Sequence, residues 1–354
     1  MAETALVVGA TGIIGGNLVA ELLANGWTVY GLSRDPKDTG TGVKPIAANL
    51  LDADNVHKAL RDLKPTHVFF ATWTRRATEE ENIEVNSAMV RNVLDALSPK
   101  KSVQHVGLVT GLKHYLGPFE AYAKGELPQT PLREEQPRLP IDNFYYAQED
   151  EVYAAAKRDS FTWSIHRPHT VIGKAVGNAM NLGTTLAVYA SICKEFGRPF
   201  RWPGSDAQWN GLSDMTDARV LAKHLIWAAE TEAAHNVAFN VVNGDVFRWN
   251  WLWPRLAKWF GVEAAGWNGT LHSLEAEMAN DAPIWREIAT RHSLAEPELN
   301  RLASAWHTDL DLGRPLEVMT DMRNSRERGF PVFMPTEQSF LDLFAQLRAD
   351  RLIP

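Results

Sequence analysis

The glycine spacing near the start of the chain constrains its fold more than any other feature. The stretch Ala5–Val8 has the apolar, β-branched character of a strand, and Gly9, Gly12 and Gly15 follow it before a segment of helical period. In a strand–turn–helix unit, such glycines permit a tight turn, let the backbone approach a pyrophosphate and let the helix pack closely on the strand. Exposed amides at the helix start can hold the anion. The pattern predicts a dinucleotide-binding unit, with a tight turn that holds no ligand as the alternative.

Strand-like and helix-like segments continue to alternate over the first half of the chain, which predicts a parallel sheet covered by helices on both faces. The predicted strands are Ala5–Val8, Thr28–Leu32, Lys44–Ala48, His67–Ala71, His105–Thr110, Thr162–Arg167 and Ala238–Val242. The predicted helices are Gly12–Ala24, Ala53–Leu63, Ile83–Leu97, Tyr146–Lys157, Leu182–Phe196 and Thr216–Ala229.

We therefore predict an α/β protein with an NAD(P)-binding Rossmann fold, a doubly wound parallel sheet. Residues 1–175 are expected to form the nucleotide-binding domain, to which a strand near 236–243 returns. Residues 176–354 are expected to form a smaller, mainly helical substrate-binding region.

Composition narrows the function classes. The 354 residues include 36 Lys and Arg against 43 Asp and Glu, for a net charge of −7, and no basic run could neutralise a phosphate backbone, which argues against a nucleic-acid partner. The single cysteine, Cys193, cannot form an internal disulfide. No apolar run reaches the about 20 residues that a membrane span needs, and the start Met1-Ala-Glu-Thr lacks the positive region and the long apolar stretch of a signal peptide. We expect a cytoplasmic protein without a membrane partner.

The end of the second strand points to the cofactor. An acidic residue there would bind the ribose hydroxyls of NAD, but this chain has Ser33 and Arg34. The planar guanidinium of Arg34 can bind a 2′-phosphate and Ser33 can add a hydroxyl, which favours NADPH. The alternative for Arg34 is a solvated loop residue beside Asp35.

A reductase of this fold needs a proton donor, usually a Tyr with a Lys four residues later, and Tyr153 and Lys157 have that spacing. A helix that begins at the carboxyl edge must run the length of the sheet. Strands span roughly 17–20 Å, which requires about 12 helical residues at about 1.5 Å each. Only residues 158–161 separate Lys157 from the next strand. Tyr153 therefore lies at the wrong end of its helix.

Tyr145 lies at the right end, at the helix start, but Glu149 stands four residues later. The cation must come from elsewhere. Lys113 follows the strand His105–Thr110 and should emerge at the same carboxyl edge, where ligands of open α/β sheets bind. His114 is a competing acid or base, because its reference pKa of about 6.5 suits proton transfer; a structural histidine is the alternative.

Several motifs resemble the progesterone 5β-reductase and iridoid synthase-like enzymes of the extended short-chain dehydrogenase/reductase superfamily. They are Gly9-Ala-Thr-Gly12-Ile-Ile-Gly15, Gly111-x-Lys113-His114-Tyr115-x-Gly117-Pro118-Phe119-Glu120, Asn143-Phe144-Tyr145-Tyr146-x-x-Glu149-Asp150, Trp163-Ser-x-His166-Arg167-Pro168 and Phe239-Asn240-Val241-x-Asn243-Gly244-Asp245-Val246-Phe247.

The resemblance implies that Tyr145 and Lys113 are the catalytic pair, and that NADPH reduces the C=C bond of a hydrophobic enone or enal, steroids such as progesterone included. It also makes a homodimer plausible. Negative charge would develop on the carbonyl oxygen, where the Tyr145 hydroxyl would donate a hydrogen bond, while Lys113 would lower the pKa of that phenol.

The remaining site predictions follow from strand ends and from the resemblance. The predicted NADPH/NADP contacts are Gly9, Thr11, Gly12, Ile13, Ile14, Ser33, Arg34, Asn49, Leu50, Ala71, Thr72, Trp73, Thr110, Gly111, Lys113, Tyr145, Pro168 and Val171. The predicted substrate contacts are Trp73, Phe119, Met180 and Asn181, in an apolar, aromatic-rich pocket. No metal site is predicted.

Two alternatives stay open at this point. The same Tyr could protonate an alkoxide while hydride attacks the carbonyl carbon, which would make the protein a carbonyl reductase. The chain could also be a non-catalytic NADPH-sensing protein that keeps the glycine turn.

Overall fold

The computed structural model describes residues 3–36, 42–118, 128–178 and 180–354. Its strands are β1 Thr4–Val8, β2 Thr28–Ser33, β3 Lys44–Ala47, β4 His67–Phe70, β5 His105–Val109, β6 Thr162–Pro168, β7 Val171–Ile172, β8 Phe200–Arg201, β9 Thr216–Asp217, β10 Val237–Val241 and β11 Ala264–Ala265. Within the described residues, seven of them form one parallel sheet in the order β10-β6-β5-β4-β1-β2-β3. The strand order reverses beside β1, which places the topological switch point at the glycine turn.

The helices that connect these strands follow the predicted order. They are α1 Ile13–Ala24, α2 Ala53–Ala59, α3 Glu79–Leu97, α4 Lys113–Leu116, α5 Phe144–Asp159, α6 Leu182–Phe196, α7 Asp206–Asn210, α8 Ala218–Glu230, α9 Trp249–Phe260, α10 Leu274–Glu277, α11 Asp281–Arg291, α12 Leu299–Leu302, α13 Ala305–Leu312, α14 Arg323–Glu327 and α15 Thr336–Ala349. The predicted doubly wound α/β fold is confirmed, and β10 joins the sheet beside β6.

The two faces of the sheet have separate apolar cores, because side chains alternate along each strand. In β1, Leu6 and Val8 belong to the core beneath α2, α3 and α5, whereas Ala5 and Val7 belong to the core beneath α1 and α8. A third core lies among α6, α9, α11 and α15. The ring of Trp253 in α9 stacks on Phe200 at 3.9 Å between centroids.

Capping residues explain where two helices depart from their predicted starts. The helix predicted from Thr216 begins at Ala218, because Thr216 and Asp217 pair with β7 and the Asp217 side chain accepts a hydrogen bond from the Arg219 amide. The helix predicted from Ile83 begins at Glu79, since Thr78 and Glu81 form a capping box. Short polar caps thus fix boundaries that apolar periodicity alone leaves open.

Candidate functional site

The carboxyl ends of β1, β2, β4, β5 and β6 open onto one cavity of about 420 Å³. All of the predicted cofactor contacts lie in its lining. The lining residues are Gly9, Thr11, Gly12, Ile13, Ile14, Leu32, Ser33, Arg34, Ala48, Asn49, Leu50, Leu51, Ala71, Thr72, Trp73, Thr74, Arg76, Met89, Thr110, Gly111, Leu112, Lys113, Tyr145, Pro168, His169, Thr170, Val171, Asn178, Met180, His307, Asp311 and Arg314.

The glycine turn forms a cradle at the start of α1. Gly9 has φ +90°, and a Cβ there would lie 2.6 Å from the Thr72 Cβ, so a side chain is excluded. A Cβ on Gly15 would collide with the Gly9 carbonyl oxygen. At Gly12 the nearest atom to an added Cβ is the Gly9 oxygen at 3.5 Å, and no side chain caps the helix start. The uncapped amides of α1 and the open space at Gly12 therefore fit an anionic group.

The end of β2 presents one buried and one exposed polar side chain to the same cavity. The Ser33 hydroxyl is buried and has no hydrogen-bond partner among the described residues, whereas Arg34 is exposed. An orphaned buried hydroxyl is costly unless a ligand satisfies it. Beyond β3, Asn49 and Leu50 line the cavity, and Asp52 caps α2 by accepting from the Asn55 amide at 3.0 Å.

The segment after β4 forms the opposite wall. Ala71, Thr72 and Trp73 line the cavity, and the Trp73 ring stacks on Phe144 of α5 at 5.0 Å and 29°. The Thr74 amide donates to the Asn86 side chain of α3 at 2.8 Å, which holds the segment against the helix.

Tyr145 and Lys113 are both buried beside this cavity, 6% and 7% exposed. Tyr145 lies in the first turn of α5, and Lys113 begins α4, directly after β5. The Lys113 ammonium nitrogen lies 5.0 Å from the ring centres of both Trp73 and Phe144, a cation–π arrangement that stabilises a buried charge. The two predicted catalytic residues are therefore brought to one cavity from separate elements.

One carboxamide links the backbones of the two residues. The Asn143 side chain accepts a hydrogen bond from the Tyr145 amide at 3.0 Å and donates one to the Lys113 carbonyl at 2.8 Å. Asn143 is 3% exposed and caps α5. Asn143 belongs to one of the motifs that carry the family resemblance, but no role was predicted for it, although an Asn directly before a helix is a capping signal.

Gly111 leaves space for the Tyr145 phenol at the end of β5. A Cβ at Gly111 would lie 3.3 Å from the Tyr145 hydroxyl oxygen and 3.4 Å from the Pro168 carbonyl oxygen. The hydroxyl therefore lies over the point where β5 and β6 end, beside Gly111 and Pro168, which are predicted cofactor contacts.

Tyr153 and His114 lie outside the cavity lining. Tyr153, two turns further along α5, packs on Trp163 with ring centres 4.6 Å apart, and burial raises its pKa to about 12. Burial foremost, with the charge of Arg167, lowers the pKa of His114 to about 4, and its Nε2 contacts the Gln136 carbonyl at 3.2 Å. Both side chains are thus packed against other parts of the protein, outside the cavity.

The four predicted substrate contacts have different locations in the structure. Trp73 and Met180 line the cavity, and Phe119 lies outside the described residues. Asn181 is not in the lining: its side chain accepts from the Thr184 amide and donates to the Ala175 carbonyl, which commits it to capping α6. Its contact with substrate stays a prediction, since a side-chain amide that donates one hydrogen bond and accepts one can still form others.

The cavity lining also contains a group of polar residues that was not predicted from the sequence. We call the group the polar wall; it comprises His169, Thr170, His307, Asp311 and Arg314. Four of the five, all except Thr170, are buried. The group could not be recognised from the sequence because its residues are far apart in the chain. Helix α13 approaches the end of β6 only in the folded protein.

The described part of the chain holds no group of three metal-ligating side chains in a suitable arrangement. No helix in that part is long and apolar enough to cross a bilayer.

This chain matches a family model and named relatives over most of its length. The model of the PRISE-like Rossmann-fold domain matches residues 47–354. An (S)-8-oxocitronellyl enol synthase of Nepeta racemosa is 41% identical, over 99% of this chain and 93% of its own length. A 3-oxo-Delta(4,5)-steroid 5-beta-reductase of Arabidopsis thaliana is 40% identical over the same shares.

Solved structures with low sequence identity share the fold. A UDP-glucose 4-epimerase of Thermotoga maritima with UDP-glucose superposes with a TM-score of 0.67 at 14% identity, over 98% of this chain and 99% of the other. A short-chain dehydrogenase/reductase superfamily protein of Agrobacterium tumefaciens with bound NAD gives 0.67 at 16% identity, over 99% and 98%. The likeness extends through the C-terminal helices as well as the sheet.

Proposed function

Because the chain belongs to the PRISE-like Rossmann-fold domain family, we propose that it is an NADPH-dependent ene-reductase. The proposed reaction is 1,4-reduction of the C=C bond of an enone or enal, with hydride added at the β-carbon. The single observation that carries the proposal is the convergence of buried Tyr145 and Lys113 on the cavity that the glycine turn also lines. The proposal includes the homodimer that the family resemblance implies.

The lining residues fit a phosphorylated dinucleotide. Gly9 and Gly12 leave the room that a pyrophosphate needs beside the α1 amides, and the buried Ser33 hydroxyl has no hydrogen-bond partner in the described part of the chain. Arg34, exposed next to it, offers a guanidinium to a 2′-phosphate. This combination supports NADPH over NADH. When bound, the reduced nicotinamide would supply the hydride.

The protein's own contribution is to stabilise the charge that develops on the carbonyl oxygen. The Tyr145 hydroxyl would donate a hydrogen bond to that oxygen, and one preorganised donor of this kind contributes about 2.7–4 kcal/mol to the transition state. The Lys113 ammonium, buried beside the same cavity, would stabilise the negative charge that develops there. Gly111 keeps the phenol at the strand end, because a side chain there would press on its oxygen.

Burial gives these interactions their strength. Both side chains are withdrawn from water, so the field of the ammonium is weakly screened. Trp73, which stacks on Phe144 and lines the cavity, adds an apolar surface beside the Lys113 ammonium. The resulting enolate would then take a proton at its α-carbon, and the two hydrogens added are one hydride and one proton.

A panel of substrates tests the proposal. NADPH absorbance is followed with enones, enals and the corresponding saturated ketones and aldehydes, and products are identified by mass and NMR. Oxidation of NADPH with conjugated substrates alone, yielding saturated carbonyl products, supports the ene-reductase. Allylic alcohol products would instead indicate a carbonyl reductase. NADPH binding without turnover of any substrate would indicate a sensor.

A further inference from the structure

Three of the motifs that carry the family resemblance meet at one buried hydroxyl that the proposed mechanism does not use. The Tyr115 hydroxyl donates a hydrogen bond to the side-chain oxygen of Asn240 at 2.7 Å and accepts one from the Arg167 guanidinium at 3.2 Å. All three residues are buried. Tyr115 lies in α4, two residues after Lys113, so this hydroxyl connects the helix that carries the buried ammonium to the sheet.

The two partners of the hydroxyl are neighbours in the sheet. Asn240 of β10 pairs with Arg167 of β6 in the parallel register, so both side chains leave the same face. The side-chain nitrogen of Asn240 donates to the carbonyls of Leu132 and Asp321, at 3.0 and 2.9 Å. Because a carbonyl can only accept, these contacts fix the orientation of the carboxamide and direct its oxygen at Tyr115.

The chemistry of its partners also fixes the direction of the hydroxyl. A guanidinium can only donate, so the phenol oxygen accepts from Arg167 and its proton is directed at Asn240. Burial raises the pKa of Tyr115 above its ordinary value, although the charge of Arg167 opposes that shift. The phenol therefore keeps its proton in neutral solution, and the hydrogen bond to Asn240 is retained.

The α4 helix depends on contacts of this kind because it is a single turn, Lys113–Leu116. A helix this short has too few internal hydrogen bonds to be stable by itself. Its backbone is tied to α5 by the Asn143 carboxamide and by the Tyr146 hydroxyl, which donates to the His114 carbonyl at 2.7 Å. Tyr115 adds the connection to β6 and β10. The place of the turn relative to the sheet therefore depends on this phenol.

We propose that Tyr115 is a positioning residue, whose hydroxyl holds α4 to the sheet so that the Lys113 ammonium stands where negative charge develops in the reaction. The inference rests on the proposed ene-reductase function, in which Lys113 stabilises that charge. Tyr115 lies outside the cavity lining, so its effect on the reaction passes through Lys113. Small displacements of a catalytic group remove much of its effect on the rate.

The first test removes the hydroxyl and keeps the ring. With a reactive linear enal, Tyr115→Phe should lower kcat about tenfold, while KM and NADPH affinity change less than about twofold. Tyr189→Phe is the matched control, because the buried Tyr189 hydroxyl likewise accepts from an N–H, that of Arg201, and donates to a side-chain oxygen, that of Glu277. Tyr189 also lies outside the cavity lining, and this variant should keep the wild-type kcat. An unchanged kcat in Tyr115→Phe would overturn the proposal.

A double-mutant cycle determines whether the hydroxyl acts through the ammonium. In a Lys113→Met background, Tyr115→Phe should lower the residual kcat less than about twofold, because the group that the hydroxyl positions is absent. A purely structural role would give the same loss of kcat with and without Lys113, and that result would contradict the proposal. Replacement of Tyr115 by 4-aminophenylalanine supplies N–H groups that can donate to Asn240, so this variant should recover part of kcat.

Melting temperatures and NADPH titrations are measured for every variant. A folded Tyr115→Phe protein that binds NADPH normally but has a lower kcat supports the positioning role. Loss of folding or of NADPH binding in that variant would show that the hydroxyl serves the fold as a whole, which the proposal does not allow. Absence of turnover of any enone or enal by the wild-type protein would instead reject the reductase, and the positioning role with it.

Discussion

The two sides of the cavity are built in different ways. On the nucleotide side, the lining residues follow the ends of β1, β2 and β4 within a few positions, so each strand carries its own contribution. The polar wall joins the end of β6 to α13 and Arg314, segments more than a hundred positions apart. A cofactor site can therefore be predicted from the residues that follow each strand. A wall assembled from segments far apart in the chain leaves no pattern in neighbouring residues from which it could be predicted.

The largest expected effect is the loss of kcat when the Tyr145 hydroxyl is removed. Tyr145→Phe should lower kcat by about 100- to 1000-fold, because it removes the donor to the developing oxyanion. NADPH affinity, measured by fluorescence titration, should change less than about twofold. Tyr153→Phe is the matched control on the same helix, packed on Trp163 away from the cavity, and should retain kcat. A comparable loss in Tyr153→Phe would show that the helix-length argument is wrong.

Asn143 should give the next largest effect. Asn143→Asp keeps a good helix cap but removes the donor to the Lys113 carbonyl and turns a carboxylate oxygen toward it, so we expect kcat to fall about tenfold or more. Asn181→Asp makes the same change at the cap of α6, where the amide also bridges two backbone groups.

Steady-state kinetics and thermal melts separate the two asparagines. We expect similar small losses of melting temperature, with a lower kcat for Asn143→Asp alone. A raised KM in Asn181→Asp would support the original prediction that Asn181 contacts substrate.

Arg34 tests the nucleotide side by itself. Arg34→Ala should weaken NADPH binding about tenfold while NADH binding changes less than about twofold, since only the former has the 2′-phosphate. Isothermal titration at two salt concentrations measures both, and the NADPH effect should shrink at high salt because Arg34 is exposed. Equal losses for the two cofactors would mean that Arg34 does not bind the phosphate.

Gly111→Ala should produce the smallest effect. The added methyl group would lie 3.3 Å from the Tyr145 hydroxyl oxygen, so the phenol must shift by a few tenths of an ångström, and we expect a kcat loss of roughly threefold to tenfold. Gly16→Ala, where the new carbon would lie at an ordinary contact distance of 3.7 Å from the Ala10 carbonyl oxygen, is the control in α1. A fully active Gly111→Ala enzyme would show that the phenol tolerates this displacement.

Much of the fold followed from local physical signals. The β1 strand, the glycine turn and α1 are encoded by neighbouring residues, and alternating buried strands predicted the parallel sheet. Tyr145 could be preferred over Tyr153 because helix rise and strand length set where a catalytic Tyr can stand. Helix starts were less accurate, since Asp217 and Thr78 cap helices that apolar periodicity placed differently.

The substrate side could not be predicted in the same way. His307 and Asp311 are spaced as neighbours on one helix face, which is also the pattern of a structural ion pair. Only the position of α13 against the end of β6 turns that face toward the cavity. Contacts between distant parts of the chain determine the position of α13, and the local patterns of a single sequence do not predict it.

The carboxamide of Asn143 joins the backbone of Lys113 to that of Tyr145. The first turns of α4 and α5, from which the ammonium and the phenol extend, are therefore held next to each other by one side chain. Transfer of this site to another protein would therefore require three residues, Tyr145, Lys113 and Asn143. The asparagine would be needed to hold the two backbone segments at the right spacing.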